Sequence, residues 1–410
     1  MTDSSHNVAW QGTTPQGALA GVRVLDLTRV LAGPLCAMML GDMGADIIKV
    51  EPPDRGDDTR SWGPPFAEGE SAYFLTTNRN KRSMTLNMAV PAGRALLAAL
   101  IEKADVVIDN FKLGTMAKWG FTDDWFEAHA PRAVRCAITG YGTTGPKAAL
   151  PGYDFVLQAE SGLMSICGQP DGPPTKYGVA IVDVCTGMLA CNAILAALNA
   201  RHTTGRGQKV ELSLFETSLL MLINVASNVL VAGKGGGRFG NGHPSLVPYT
   251  TYEASDAMMA LAIGNETQFA KCAAVLGHPE WADDPRYNTN RARVENRDLV
   301  DGSIAKALAG DTADAWIAKL KAVGVPCGRI NSVAEALAEP QAAARDMIET
   351  VQHPTVGELK LVGVPYKFSD TPASVRRPPP LLGEHTDEIL TEELGLAAAE
   401  IAALRSAKVV

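Results

Sequence analysis

The alternation of apolar strand, helix and strand that begins at residue 22 constrains this chain more than any other feature. Val22-Arg-Val-Leu-Asp-Leu27 runs into a helical stretch over residues 33–43, a turn at Gly44 and the apolar strand Asp46-Ile-Ile-Lys-Val-Glu51. Such strands, apolar on both faces, belong in a parallel sheet covered by helices. The pattern repeats with a helix over 93–103 and strands over 105–109 and 133–139, which predicts a Rossmann-like α/β domain. The first strand leads into Thr28-Arg-Val-Leu-Ala-Gly-Pro34 and not into a G-x-G-x-x-G turn, so dinucleotide binding loses its usual warrant. Gly33 and Pro34 open a helix whose N-terminus either meets an anion or merely starts the helix.

Helices over 155–164 and 183–200 and a strand over 209–214 complete the first block, and a glycine-rich loop over 233–242 marks a boundary. Beyond it lie a hairpin over 252–263 turning at residues 254–256, and helices over 266–276, 291–308 and 312–323. A short helix, a strand pair over 349–367, a Pro-rich crossing over 376–382 and a final helical segment follow. Residues 1–17 read as a disordered tail, 18–225 as the N-terminal part of the large domain, 226–330 as the glycine-rich loop and a small α+β domain, and 331–410 as a return to the large domain.

The 410 residues are 46% hydrophobic with a formal net charge of −8, which suits a globular protein and argues against nucleic acid or an acidic membrane as partner. Seven dispersed cysteines without CxxC, and seven scattered histidines, predict reduced thiols, a cytoplasmic setting and no metal site. The N-terminal residues lack the apolar core of a signal peptide, and apolar stretches such as 188–200 read as core helices too short to span a bilayer.

Asp183 is the one carboxylate in Gly178-Val-Ala-Ile-Val-Asp183-Val-Cys-Thr-Gly187, between an apolar run and an apolar helix. From the residues alone it is either an N-cap or a reactive carboxylate kept ionised by a helix N-terminus.

The runs Gly21-Val-Arg-Val-Leu-Asp-Leu27, Leu31-Ala-Gly-Pro34, Gly44-Ala-Asp-Ile-Ile-Lys-Val-Glu51, Asn78-Arg-Asn-Lys-Arg-Ser83, Asp109-Asn-Phe111 and Thr204-Gly-Arg-Gly-Gln208, in this order, resemble the class III CoA-transferases. That family includes formyl-CoA and carnitine CoA-transferases and alpha-methylacyl-CoA racemase. The resemblance implies a Rossmann-like large domain with a smaller α+β domain, an interlocked homodimer, and Asp183 as the nucleophile of an acyl-aspartyl anhydride and an aspartyl-CoA thioester. It implies no permanently bound cofactor, acyl-CoA being a co-substrate whose contacts match Arg29, Val30, Ala32, Leu86, Asn87, Asn110, Phe111, Lys112 and Lys118. Lys112 and Lys118 read equally as ordinary surface charge. At Pro52 the chain departs from formyl-CoA transferases, which use an arginine there.

The stretches Gly56-Asp-Asp-Thr-Arg-Ser-Trp-Gly-Pro-Pro-Phe66, His243-Pro-Ser-Leu-Val-Pro-Tyr249 and Arg377-Pro-Pro-Pro-Leu-Leu-Gly-Glu-His385 are most similar to the succinyl-CoA:glutarate branch of the family. They imply a dicarboxylate acceptor, whose distal carboxylate needs a cation or several donors. Arg60, Arg79 and His243 are the candidates, with fold-supporting roles as the alternative. Gly235, Gly236 and Gly237 read either as a lid or as a linker. The racemase reading requires a Gly-His-Asp motif, and here the sequence is Gly152-Tyr153-Asp154; tyrosine, with an ordinary pKa of about 10, is a poor base near neutrality. Tyr153 either shapes the acyl pocket or is an amphipathic core residue. A CoA-binding protein without catalysis is the non-enzymatic alternative, against which Asp183 speaks.

Overall fold

The computed structural model describes residues 17–410. Apart from Gly17, the tail expected over 1–17 lies outside the described residues. Gly17 itself is packed so closely on Met43 that a Cβ there would stand 2.4 Å from the Met43 carbonyl oxygen.

The chain divides into two compact units: residues up to Leu157 with Gly178–Met221 and Pro340–Val410, and Gln158–Tyr177 with Leu222–Glu339. The boundary expected at 225/226 thus falls four residues earlier, after Met221, and the one expected at 330/331 nine residues later, after Glu339. Residues 158–177, expected in the large domain, belong to the second unit. Left-handed Gly162 (φ 93°) breaks the helix expected over 155–164 into Asp154–Glu160 and Leu163–Ile166. Arg238 then holds the strand-free segment beyond it by donating to the carbonyls of Gln169, Pro170 and Gly172.

The first unit is built on six parallel strands: β1 (Arg23–Asp26), β2 (Asp46–Glu51), β3 (Lys81–Thr85), β4 (Val106–Asp109), β5 (Val134–Thr139) and β6 (Lys209–Ser213). Their order is β3-β2-β1-β4-β5-β6, all parallel, with Val24 level with Ile47 on one side and Val106 on the other. This is the doubly wound arrangement, and its strand order reverses between β1 and β4. Strand β3 escaped the sequence reading because Lys-Arg-Ser-Met-Thr has no apolar alternation, yet all five residues are buried. The core beneath gathers Leu25, Ile48, Met84, Leu97 and Val107 with Ile389, Ile401 and the last two residues, Val409 and Val410.

Two helices place the site. Helix α1 (Ala32–Asp42) follows β1, and helix α2 (Ile181–Thr204) packs along it and on β5 and β6. By length and composition alone α2 could cross a membrane, which corrects the expectation that this segment is too short. Its buried stripe, Val182, Thr186, Gly187, Ala190, Cys191, Ile194, Ala197 and Leu198, is spent on the unit's own core.

In the second unit the expected hairpin is Tyr249–Glu253 paired with Met258–Ala262, and the unforeseen strand Cys327–Arg329 adds to it. The helix expected over 291–308 breaks at Asn296 into Asn290–Glu295 and Arg297–Leu308. These elements close on Val247, Met259, Phe269, Ile304 and Leu320.

Helices α1 and α2 touch backbone to backbone at Gly187, where a Cβ would lie 2.6 Å from the Ala32 carbonyl oxygen. Gly187→Ala is expected to push them apart and cost about 1–3 kcal/mol in urea unfolding, where full stability would remove the close approach.

Candidate active site

In a doubly wound sheet, ligands meet the carboxyl ends of the strands where the order reverses. Here that position is the turn after β1 and the residues after β4. The side-chain amide of Asn110 bridges the two: its oxygen accepts from Arg29 N at 3.1 Å and its nitrogen donates to Arg29 O at 2.8 Å. Val30, next in the turn, has φ 75°, a left-handed conformation that costs a β-branched residue about 1–3 kcal/mol. Its amide donates to Asp57 Oδ1 at 3.2 Å. Gly33 leaves room for Thr28, whose side chain would stand 2.3 Å from a Cβ there. Beyond the turn, α1 opens after Leu31, its N-cap residue, with no side-chain cap.

Asp183 sits one helical turn before Gly187 on α2, so it shares the helix face that meets the start of α1. It is not the N-cap. Ala180 holds that place, and the carboxylate that closes the helix end comes from Asp154, whose Oδ2 accepts from Val182 N at 2.7 Å and Asp183 N at 3.3 Å. Burial first, and then the Asp154 charge, push the half-buried Asp183 up to about 7. The helix N-terminus was expected to keep Asp183 ionised; instead its amides serve Asp154. Sequence reading met Asp154 only as the end of the Gly-X-Asp motif and gave it no part. Burial, followed by the charges of Asp183, Asp154 and Asp57, also raises the Tyr73 phenol.

The residues matched to CoA contacts divide into three groups. Arg29, Val30, Ala32 and Asn110 meet at the turn just described. Phe111 and Lys112 line a cavity of about 410 Å³ with Leu113, Met116, Thr139 and Lys209. Asp109, raised to about 6 by burial, also lines it. Lys112 and Lys118 are exposed, and Phe111 stands edge-on to Trp119 at 5.1 Å. Leu86 and Asn87 are occupied elsewhere: the Leu86 side chain is fully buried in the apolar core, and Asn87 N donates to Val409 O. The Asn87 side chain, partly exposed, bonds locally, its oxygen accepting from Ala89 N at 3.1 Å and its nitrogen donating to Lys408 O at 3.4 Å.

Arg60 and Arg79, candidates for the acceptor's distal carboxylate, are already neutralised. Arg60 pairs with both Glu51 oxygens at 2.7 Å, and Arg79 with Asp42 at 2.9 and 2.7 Å. Both also donate to backbone carbonyls, of Pro380 and Val362. Tyr153 is 65% exposed, which excludes the core role weighed for it. His243 and Gly235 to Gly237 belong to the second unit. His243 Nδ1 accepts from Ser245 N at 3.0 Å. None of the three glycines needs a left-handed backbone, and only Gly236 is crowded, by Val225 and Ile166. No group of three His, Cys, Asp or Glu among the described residues could hold a metal ion.

A doubly wound sheet with a half-buried, charge-perturbed carboxylate near its switch point offers a nucleophile where such folds take their ligands. The model of CoA-transferase family III matches residues 19–386, and the chain belongs to that family, which makes it an acyl-CoA:carboxylate CoA-transferase by class. Among its relatives, the succinyl-CoA:glutarate CoA-transferase of Mus musculus is 42% identical over 92% of this chain and 86% of its own. The succinate–glutarate CoA-transferase of Agrobacterium fabrum is 42% identical over 91% of this chain and 95% of its own. Among solved structures, a CAIB/BAIF family protein from Brucella suis matches with TM-score 0.81 and 42% identity, covering 92% of this chain and all of that one.

A carboxyl raised from 3.8 to about 7 holds its proton more tightly in the folded than in the unfolded chain. It therefore adds stability below pH 4, which is lost as pH rises from about 4 to 7. Asp183→Asn removes this slope, so the wild type is expected to lose about 2–4 kcal/mol relative to the variant across that window in urea melts. Parallel profiles would show an ordinary carboxylate.

Proposed function

We propose that the protein moves CoA from succinyl-CoA to a dicarboxylate, glutarate first among them, by covalent catalysis on Asp183. What carries the reading is the 42% identity to succinyl-CoA:glutarate enzymes over most of both chains, joined to a perturbed carboxylate beside the switch point.

The Asp183 carboxylate attacks the thioester carbonyl of succinyl-CoA, and the C–S bond breaks to give an aspartyl-succinyl anhydride and CoA thiolate. The thiolate attacks the Asp183 carbonyl carbon, releasing succinate and leaving an aspartyl-CoA thioester. Glutarate attacks that thioester and expels the thiolate again; the thiolate takes the glutaryl carbon, and Asp183 leaves as the carboxylate it began as. No water enters the balance, so exclusion of solvent decides between transfer and hydrolysis. Holding the weak carboxylate nucleophile against the thioester supplies the effective concentration that the first step needs. The turn at residues 29–32, with Asn110 and Phe111, lies where the CoA moiety is expected. Racemisation is disfavoured, since Tyr153 replaces the histidine base and Asp154 is committed to the helix end.

We further propose a homodimer working in the cytoplasm. Helix Ile223–Ala232 of the second unit has no buried residue and leaves Ile223, Leu230 and Val231 64%, 84% and 87% exposed. In the first unit Tyr153, Phe155 and Val179 are likewise more than half exposed. Apolar surface of this kind supports a partner copy. Seven free cysteines support a reducing compartment.

Incubation with succinyl-CoA and a panel of acids, with CoA esters separated by mass, is expected to yield glutaryl-CoA, and Asp183→Ala to lower the rate by about 10³-fold or more. Absence of exchange with every dicarboxylate would remove the substrate reading, and activity surviving in the variant would remove Asp183. Sedimentation is expected to give twice the 43.3 kDa chain mass, a monomer being the contrary result.

A further inference from the structure

We infer that Asp57 and Lys49 are positioning residues, whose buried ion pair holds the turn at residues 28–31 in the conformation that receives CoA. Both side chains are completely buried, 2.9 Å apart. Replacing such a pair by apolar side chains of similar volume is often neutral or stabilising, so its retention calls for another reason. The reason lies in where the remaining bonds go.

Lys49 Nζ donates to the Thr28 carbonyl at 3.0 Å. Asp57 Oδ1 accepts from the Val30 amide at 3.2 Å and is itself fixed by Thr59 N at 3.0 Å and Thr59 Oγ1 at 2.8 Å. Asp57 N in turn donates to Glu51 Oε2 at 2.9 Å. Arg29, between the two anchored residues, sends its guanidinium to Asp58, the neighbour of Asp57, at 3.0 Å. The pair thus grips the turn at both ends of a residue triplet, while Asn110 grips its middle.

Val30 shows why a grip is needed. A valine at φ 75° returns to an ordinary backbone conformation unless its neighbours forbid it. Asp57 accepts from the amide of this strained residue and so ties it to the ion pair. Lys49 fixes Asp57, and burial is outweighed by Lys49 so that Asp57 is held down to about 2, an acceptor at every working pH. The ion pair itself touches no substrate in this scheme. It acts by presenting the backbone and side chains of residues 29–32.

The inference rests on the reading that this turn borders CoA, and the experiment separates the two. Asp57→Ala and Lys49→Met are measured in the full-length protein for KM toward succinyl-CoA, kcat, CoA dissociation constant and hydrogen exchange of the Val30 amide. Both are expected to raise KM and the CoA dissociation constant at least tenfold, leave kcat within about threefold, and speed Val30 exchange. Asp57→Asn, which keeps an oxygen for Val30 N, is expected to recover most of the loss. Asp42→Asn, breaking the equally buried Arg79–Asp42 pair, is the comparator: it is expected to lower stability and leave KM unchanged. Wild-type KM in the Asp57 and Lys49 variants, or an equal rise in Asp42→Asn, would overturn the inference. Should the alanine and methionine variants fail to fold, Asp57→Asn carries the same readings against Asp42→Asn, a smaller rise in KM with faster Val30 exchange supporting the role and none refuting it. A wild type that neither binds nor turns over CoA would sink the functional reading alone, since Val30 exchange still reports whether the pair holds the turn.

Discussion

Two ammonium groups, on Lys49 and Lys81, are closed off from solvent inside the parallel sheet, and its carboxyl edge is organised by the need to neutralise them. Lys81 meets Asp26 Oδ2 at 3.0 Å, Asn78 Oδ1 and the Pro34 carbonyl in the first turn of α1. Burial, against the pull of Asp26, brings it down to about 8. Asp26 would be raised by burial, but Lys81 and Lys49 outweigh that and keep it ionised. Its other oxygen takes the amide and hydroxyl of Thr28. So β1, β2 and β3 are joined at one end by charge as well as by their ladders, and the turn after β1 inherits its shape from that junction. An unpaired ion at this depth would cost several kcal/mol, which leaves the network no freedom to lend a member to a substrate.

The same constraint governs the cations and strands that the sequence left ambiguous. Arg60 and Arg79 looked available for a dicarboxylate because sequence shows a cation without its partner. In the fold, Glu51 and Asp42 claim them, and burial makes those claims unbreakable at low cost. Strand β3 was illegible for a related reason: its apolar signal is replaced by Lys81, Arg82 and Ser83, each buried only because a carboxylate faces it. The apolar strands β1, β2, β4 and β5 were legible, since hydrophobic runs bounded by turns need no partner to be recognised. Helix ends shifted, those of α2 by two and four residues, because caps depend on groups that sequence periodicity does not show.

Asp183 is the instructive case. Its isolation in an apolar run marked it, but sequence could not decide between capping and chemistry. The structure assigns the cap to Asp154, 29 residues earlier. That division of labour has a chemical consequence. Had Asp183 capped α2, the helix amides would have stabilised its charge and weakened it as a nucleophile. With the amides given to Asp154, Asp183 bears both burial and a neighbouring negative charge.

Acylation is the event that relieves this burden. In the anhydride and in the aspartyl-CoA thioester the Asp183 side chain is neutral, so the repulsion from Asp154 and the desolvation penalty both disappear. A rise from 3.8 to about 7 corresponds to about 4 kcal/mol of disfavour for the free carboxylate relative to its neutral form. CoA exchange between two acids is close to balanced overall, and its difficulty lies in reaching a high-energy anhydride from a stable carboxylate. Raising the starting carboxylate by a few kcal/mol narrows that gap in both directions, because each half-reaction begins or ends with the charge on Asp183. The penalty is stored in the fold by the burial of Asp183 and by the charge of Asp154, which the helix end holds beside it, and it is drawn on only when a thioester arrives.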